Sequence, residues 1–113
     1  MEKILTKQAY EIIEDILSKQ YFVYDWVELA PLIDRMPLTT AQVITLDPSC
    51  WINWQTITQN KEYLHVREAY DSALRFLVHY SSLLGPDVID KILAFFTFQR
   101  WLKAFREYEK SSM

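Results

Sequence analysis

Apolar and polar positions recur with a helical period from the beginning of the chain. Leu5, Ala9, Ile12, Ile13, Ile16 and Leu17 fall on one helix face, and Lys7, Glu11, Glu14 and Asp15 turn away from it. This spacing predicts an amphipathic helix over about residues 4–20. The clearest pattern lies in the C-terminal half. There Tyr63, Val66, Tyr70, Ala73, Leu77, Tyr80 and Leu84 step alternately by three and four along one seam, and Gly85 followed by Pro86 supplies a helix stop and a breaker. A second long helix is expected beyond it, with Val88, Ile92, Phe95, Leu102 and Phe105 on one stripe and Asp87 and Asp90 complementing the dipole at its start. Joined by the Gly-Pro turn, arms of about 60–84 and 87–109 make an antiparallel hairpin, against which the first helix and short middle helices pack.

The middle of the chain carries start signals. Asp25 followed by Glu28 is a capping-box pattern for a short helix that Pro31 kinks or restarts, and Pro37 closes that unit. Thr39 with Gln42 is a second capping box, and Asp47 with Pro48 is an N-cap with a first-turn proline, so two short helices should meet at Leu46. Trp51 and Trp54, three apart, share a face of the second of these. The β-branched Ile52, Thr56, Ile57 and Thr58 leave a partly extended form open there.

Composition narrows the class. One glycine, four prolines and no Asn-Gly or Asp-Gly pair argue against hairpins and sheets, so the expected fold is all-α, one helical bundle over residues 1–113. A chain of 113 residues can bury a core without staples, and a single cysteine, Cys50, excludes an internal disulfide. Charges interrupt the apolar residues of the opening segment, unlike a secretory leader, and no apolar run has the length of a membrane span. A cytoplasmic protein without a membrane partner is the resulting expectation.

Candidate chemistry is sparse. His65 and His79 are the only histidines, and fourteen residues on a helix separate them by about 21 Å, too far to share a metal. Glu62 and His65 form one E-x-x-H match, whereas di-metal bundles need a second copy. Cys50 lacks a nucleophile signature, and the motifs for zinc proteases, phosphate loops and hydrolase elbows are absent from the sequence. These observations argue against an enzyme and imply no cofactor or metal.

Charge and aromatic content point to binding instead. Residues 1–62 hold nine acidic against five basic residues, net −4, and Glu11, Glu14, Asp15, Asp25 and Glu28 are candidates for contact with a basic protein partner. Aromatics make up 15% of the chain, and Trp51 with Trp54 serve either the core or a partner as anchors, one inside and one at the rim being a third arrangement. The expected function is a small inhibitor that neutralises a partner, such as a bacterial immunity protein or antitoxin blocking a basic nuclease-type toxin. A phage-encoded inhibitor of a host defence protein has the same signature. A second reading is a regulatory or DNA-associated helical protein using Arg100, Lys103, Arg106 and Lys110, against which stand the net charge of −3 and the interspersed Glu107 and Glu109. A third is self-association into a homodimer through the Tyr63–Leu84 seam.

Overall fold

Lys3 to Leu5 pair with Tyr63 to His65 before either segment becomes a helix. The computed structural model describes residues 3–36 and 49–111. Strand β1 (Lys3–Leu5) leads directly into α1 (Thr6–Tyr24), and strand β2 (Tyr63–His65) leads directly into α4 (Val66–His79). The strands are antiparallel, with Lys3 opposite His65 and Leu5 opposite Tyr63. Ile4 and Leu64, the central pair, turn inward and are buried, as the two-residue period of a strand requires. The helical arm expected from residue 60 therefore begins at Val66, and Tyr63, placed on its seam by spacing, is an exposed strand residue.

The remaining elements are a 3-10 turn (Val27–Leu29), α2 (Ala30–Ile33), α3 (Ser49–Ile57), α5 (Ser81–Leu84), α6 (Pro86–Phe95) and α7 (Phe98–Ser111). The fold is all-α, a helical bundle with one small two-stranded sheet among the described residues. Its radius of gyration is 13.4 Å, close to the roughly 13 Å of a compact globule of this length. The Thr39/Gln42 and Asp47/Pro48 start signals lie outside the described residues. The segment with Ile52, Thr56, Ile57 and Thr58 is helical, not extended.

Helix ends follow local chemistry that spacing alone does not reveal. Asp25 does not cap the 3-10 turn. It closes α1 in the left-handed conformation (φ 53°), and both its N–H and that of Trp26 donate to the Gln20 carbonyl. Gly85 has φ 91° and ψ 151°, a region essentially restricted to glycine, and Pro86 starts α6 as expected. The expected single helix over 87–109 is broken at Phe96 (φ −84°, ψ 71°). Thr97 restarts it: its Oγ1 accepts from the Arg100 N–H at 3.2 Å, an N-cap of α7. The Phe96 carbonyl freed by the break accepts from the Tyr70 hydroxyl at 2.8 Å.

That break changes which residues are buried. Ile89, Ile92, Phe96, Trp101 and Phe105 enter the core, while Phe95 and Leu102 of the expected stripe are half-buried. Trp101 donates its indole N–H to the Val66 carbonyl at 3.1 Å, joining α7 to the start of α4. α1 packs against α2, α3, α4 and α7. Its Tyr10 meets Trp54 and Phe76 with ring centroids 6.3 and 5.8 Å apart, and donates its hydroxyl to the Met36 carbonyl at 2.9 Å. The seam of α4 is spent in this core, since Val66, Ala73, Leu77 and Tyr80 are buried, so it is not the free face a dimer through it would need.

Candidate protein-binding surface

The start of α1 is tied down by three hydrogen bonds to two other segments. The Thr6 N–H donates to the Glu62 carbonyl at 2.9 Å, the Thr6 hydroxyl donates to the Lys61 carbonyl, and the Trp54 indole donates to the Thr6 carbonyl at 2.9 Å. This fixes the rotation of α1 and with it the direction of its polar face. Tyr10, Ile13 and Leu17 point inward, and Glu11, Glu14 and Asp15 face the groove between α1 and α7.

Four carboxylates line that groove: Glu11, Glu14 and Asp15 from α1, and Glu107 from α7. Tyr108 donates its hydroxyl to the Glu11 carboxylate and so joins the two helices across the groove. Burial, the hydrogen bond to Glu11 and its negative charge push the Tyr108 phenol up to about 12. Burial, reinforced by Glu11 and Asp15, raises the Glu14 carboxyl above its ordinary value. Among the described residues Lys19 is the cation lining this groove, and it pairs with Asp15 at 3.2 Å. The arrangement concentrates negative charge where a cationic side chain would be favoured. Spacing on α1 selected the first three carboxylates. Glu107 and Tyr108 escaped it because they reach the groove only when α7 packs beside α1.

The other predicted contact residues lie elsewhere. Asp25 and Glu28 are exposed beyond the end of α1, with Asp25 about 15 Å along the helix from Asp15. Trp54 is fully buried with its N–H satisfied, so it is a core residue and not an anchor for a partner. Trp51 is half-buried, packs edge-on against Tyr10 at 5.2 Å, and borders a separate shallow pocket with Lys7, Gln55 and Lys61. Trp54 thus lies inside the core, and Trp51 is half-buried against it.

Arg100, Lys103, Arg106 and Lys110 are all exposed on α7. Arg100 lies over the Phe95 ring, 4.7 Å from its centroid. Glu107 shares the shallow groove of Lys103, Arg106 and Lys110, so the stripe is not uniformly positive. Glu62 precedes β2 and His65 ends it, which places this E-x-x-H match off a helix. Among the described residues no group of three or more His, Cys, Asp or Glu side chains is placed to hold a metal ion, and no helix is long and apolar enough to cross a membrane.

The fold and its surface define an all-α bundle with an acidic interhelical groove. Comparison with known protein families, with curated proteins and with solved structures finds no match to this chain.

Proposed function

We propose that the protein is a small inhibitor that binds and neutralises a basic partner protein, in the manner of a bacterial immunity protein or antitoxin, and that it does so in the cytoplasm without turnover. The observation that carries this reading is the convergence of Glu11, Glu14 and Asp15 of α1 on one groove that Glu107 also borders, where among the described residues the lining cation is Lys19, paired with Asp15. Repulsion of Glu14 by Glu11 and Asp15 is relieved when a partner inserts a cationic side chain, most effectively an arginine, whose planar fork matches two carboxylates. A focused negative potential of this kind raises encounter rates with a basic partner by roughly 10- to 1000-fold at low salt.

Capture from native lysate on the tagged full chain identifies the partner, and stopped-flow association of the purified pair then tests the groove. The expected result is that one equivalent of the wild type abolishes the partner's activity. Association should slow by about tenfold or more in the Glu11→Gln/Asp15→Asn variant, and the difference should vanish in high salt. An acidic partner, or equal association rates for the two proteins at low salt, refutes the reading.

A further inference from the structure

The carboxylate groove does not end at Lys19. A second stretch continues it along the same two helices, and Asp15, Lys19, Ala104 and Glu107 line both stretches. On α1 the lining residues advance from Glu11 to Tyr24 while on α7 they retreat from Tyr108 to Arg100, so the helices run antiparallel with one trough between them. Thirteen residues of α1 at 1.5 Å each make it about 20 Å long. Each wall presents one helix face. Ile12, Ile16, Lys19 and Val23 step by four, three and four, and Arg100, Ala104 and Glu107 step by four and three.

The two ends of the trough differ in chemistry. Of the two stretches, Glu11 and Glu14 line the first alone, and Val23, Tyr24, Phe95, Arg100 and Lys103 line the second alone. Val23 and Tyr24 expose 67% and 70% of their surface, and Arg100 lies over the Phe95 ring, so this end is apolar with cations beside it. The middle holds the Asp15–Lys19 pair. Both walls are helices, whose backbone hydrogen-bonding groups are satisfied within them except at the ends. An extended segment laid here would leave its own N–H and C=O groups unmatched, whereas a helix brings them already paired.

We propose that the trough seats one amphipathic helix of the partner, with an arginine or lysine at the Glu11 and Glu14 end, leucine-type side chains against Val23, Tyr24 and Phe95, and a carboxylate beside Arg100 and Lys103. The proposal rests on the inhibitor reading for its carboxylate end and adds the form and composition of the occupant. Charge complementarity sets that composition. A uniformly basic helix would meet its own sign at Arg100 and Lys103, and a uniformly acidic one would meet it at Glu11 and Glu14. A trough of this length takes about thirteen helical residues, close to four turns.

Fluorescence anisotropy of the full chain with three labelled helical peptides of about fourteen residues tests the proposal, at about 0.15 M salt to screen remote charges. All three carry a leucine stripe. One has glutamates in its first turn and arginines in its last, one has arginines at both ends, and one has glutamates at both. The mixed peptide should bind the wild type about fivefold or more tightly than either of the others. Arg100→Glu/Lys103→Glu, which changes two exposed side chains, should transfer the preference to the peptide with arginines at both ends. Val23→Asp should weaken the mixed peptide about tenfold. With the captured partner, Arg100→Glu/Lys103→Glu should also speed dissociation by about tenfold. No binding of the mixed peptide at about 1 mM, the same preference in wild type and variant, or unchanged release of the partner overturns the seated helix. The inhibitor reading is judged separately, by the association rate of the Glu11→Gln/Asp15→Asn variant.

Discussion

Replacing Tyr108 by phenylalanine removes one hydroxyl from the α1–α7 groove and keeps the ring that packs there. The lost interaction is a donation to the Glu11 carboxylate. A hydrogen bond to a charged group contributes about 1.5 to 3 kcal/mol when buried, and Tyr108 and Glu11 are both half-buried, so about 1 to 1.5 kcal/mol is the expected loss at pH 7. With a urea dependence of roughly 1 to 1.5 kcal/mol per molar for a chain of this size, the unfolding midpoint falls by about 1 M. A second signature follows from the phenol, which the fold holds at about 12 against an ordinary value of 10.0. Between those limits the unfolded chain loses this proton and the folded chain keeps it. The contribution is therefore complete below pH 10 and disappears as pH rises towards 12, worth about 1 to 2 kcal/mol after solvent screening. Urea melts of both proteins at pH 7 and at steps from 9 to 11 read both effects, and the phenylalanine variant should lose stability less steeply over the alkaline steps. Repeating them on Glu11→Gln backgrounds should give a coupling of about 1 kcal/mol. Midpoints agreeing within about 0.2 M at pH 7, with the same alkaline decline, would refute the clamp between α1 and α7.

Three further outcomes are expected. Thr97→Ala removes the N-cap of α7 and should lower stability by about 1 kcal/mol in thermal melts, while Thr97→Asn, which keeps a capping oxygen, should retain most of it. Gly85→Ala meets no atom within 4 Å of the added carbon, so its cost is conformational alone, about 1 to 3 kcal/mol at φ 91°, and a melt unchanged from wild type would disprove the strained turn. Glu14→Gln should raise stability at neutral pH. The raised carboxyl penalises the charged form in the fold, and that penalty fades as pH falls through its folded value, so a chemical-denaturation series should show variant and wild type converging in acid.

The parts of the surface that were legible in the sequence are those set by one helix. Glu11, Glu14 and Asp15 lie together on α1 because residues three and four apart share a face, and that holds whatever the helix packs against. Glu107 and Tyr108 join them across the groove through a contact between segments far apart in the chain, which local spacing does not encode. Asp25 caps the end of α1 and not the start of the turn that follows, because its left-handed conformation comes from the hydrogen bonds that close α1, which the Asp25/Glu28 spacing does not encode. Trp54 was ambiguous for a related reason. An indole suits a core or an interface equally, and its complete burial together with its bond to the Thr6 carbonyl decides for the core.

By itself the sequence determined the all-α class, the amphipathic first helix, the Gly85–Pro86 break and the acidic face of α1, since each follows from periodicity, backbone permissiveness or charge within a few residues. Tertiary structure decided the rest. Pairing of Lys3–Leu5 with Tyr63–His65 turned expected helix ends into strands, because the antiparallel register places Ile4 opposite Leu64 and turns both into the core. The break at Phe96 and the restart at Thr97 put Phe96 and Trp101 in the core in place of Phe95 and Leu102, while Ile92 and Phe105 stay buried, and they persist because Tyr70 and Trp101 anchor both sides of the break to α4. Those contacts span from 26 to 35 residues, and stabilisation from such partners overrides what local spacing prefers.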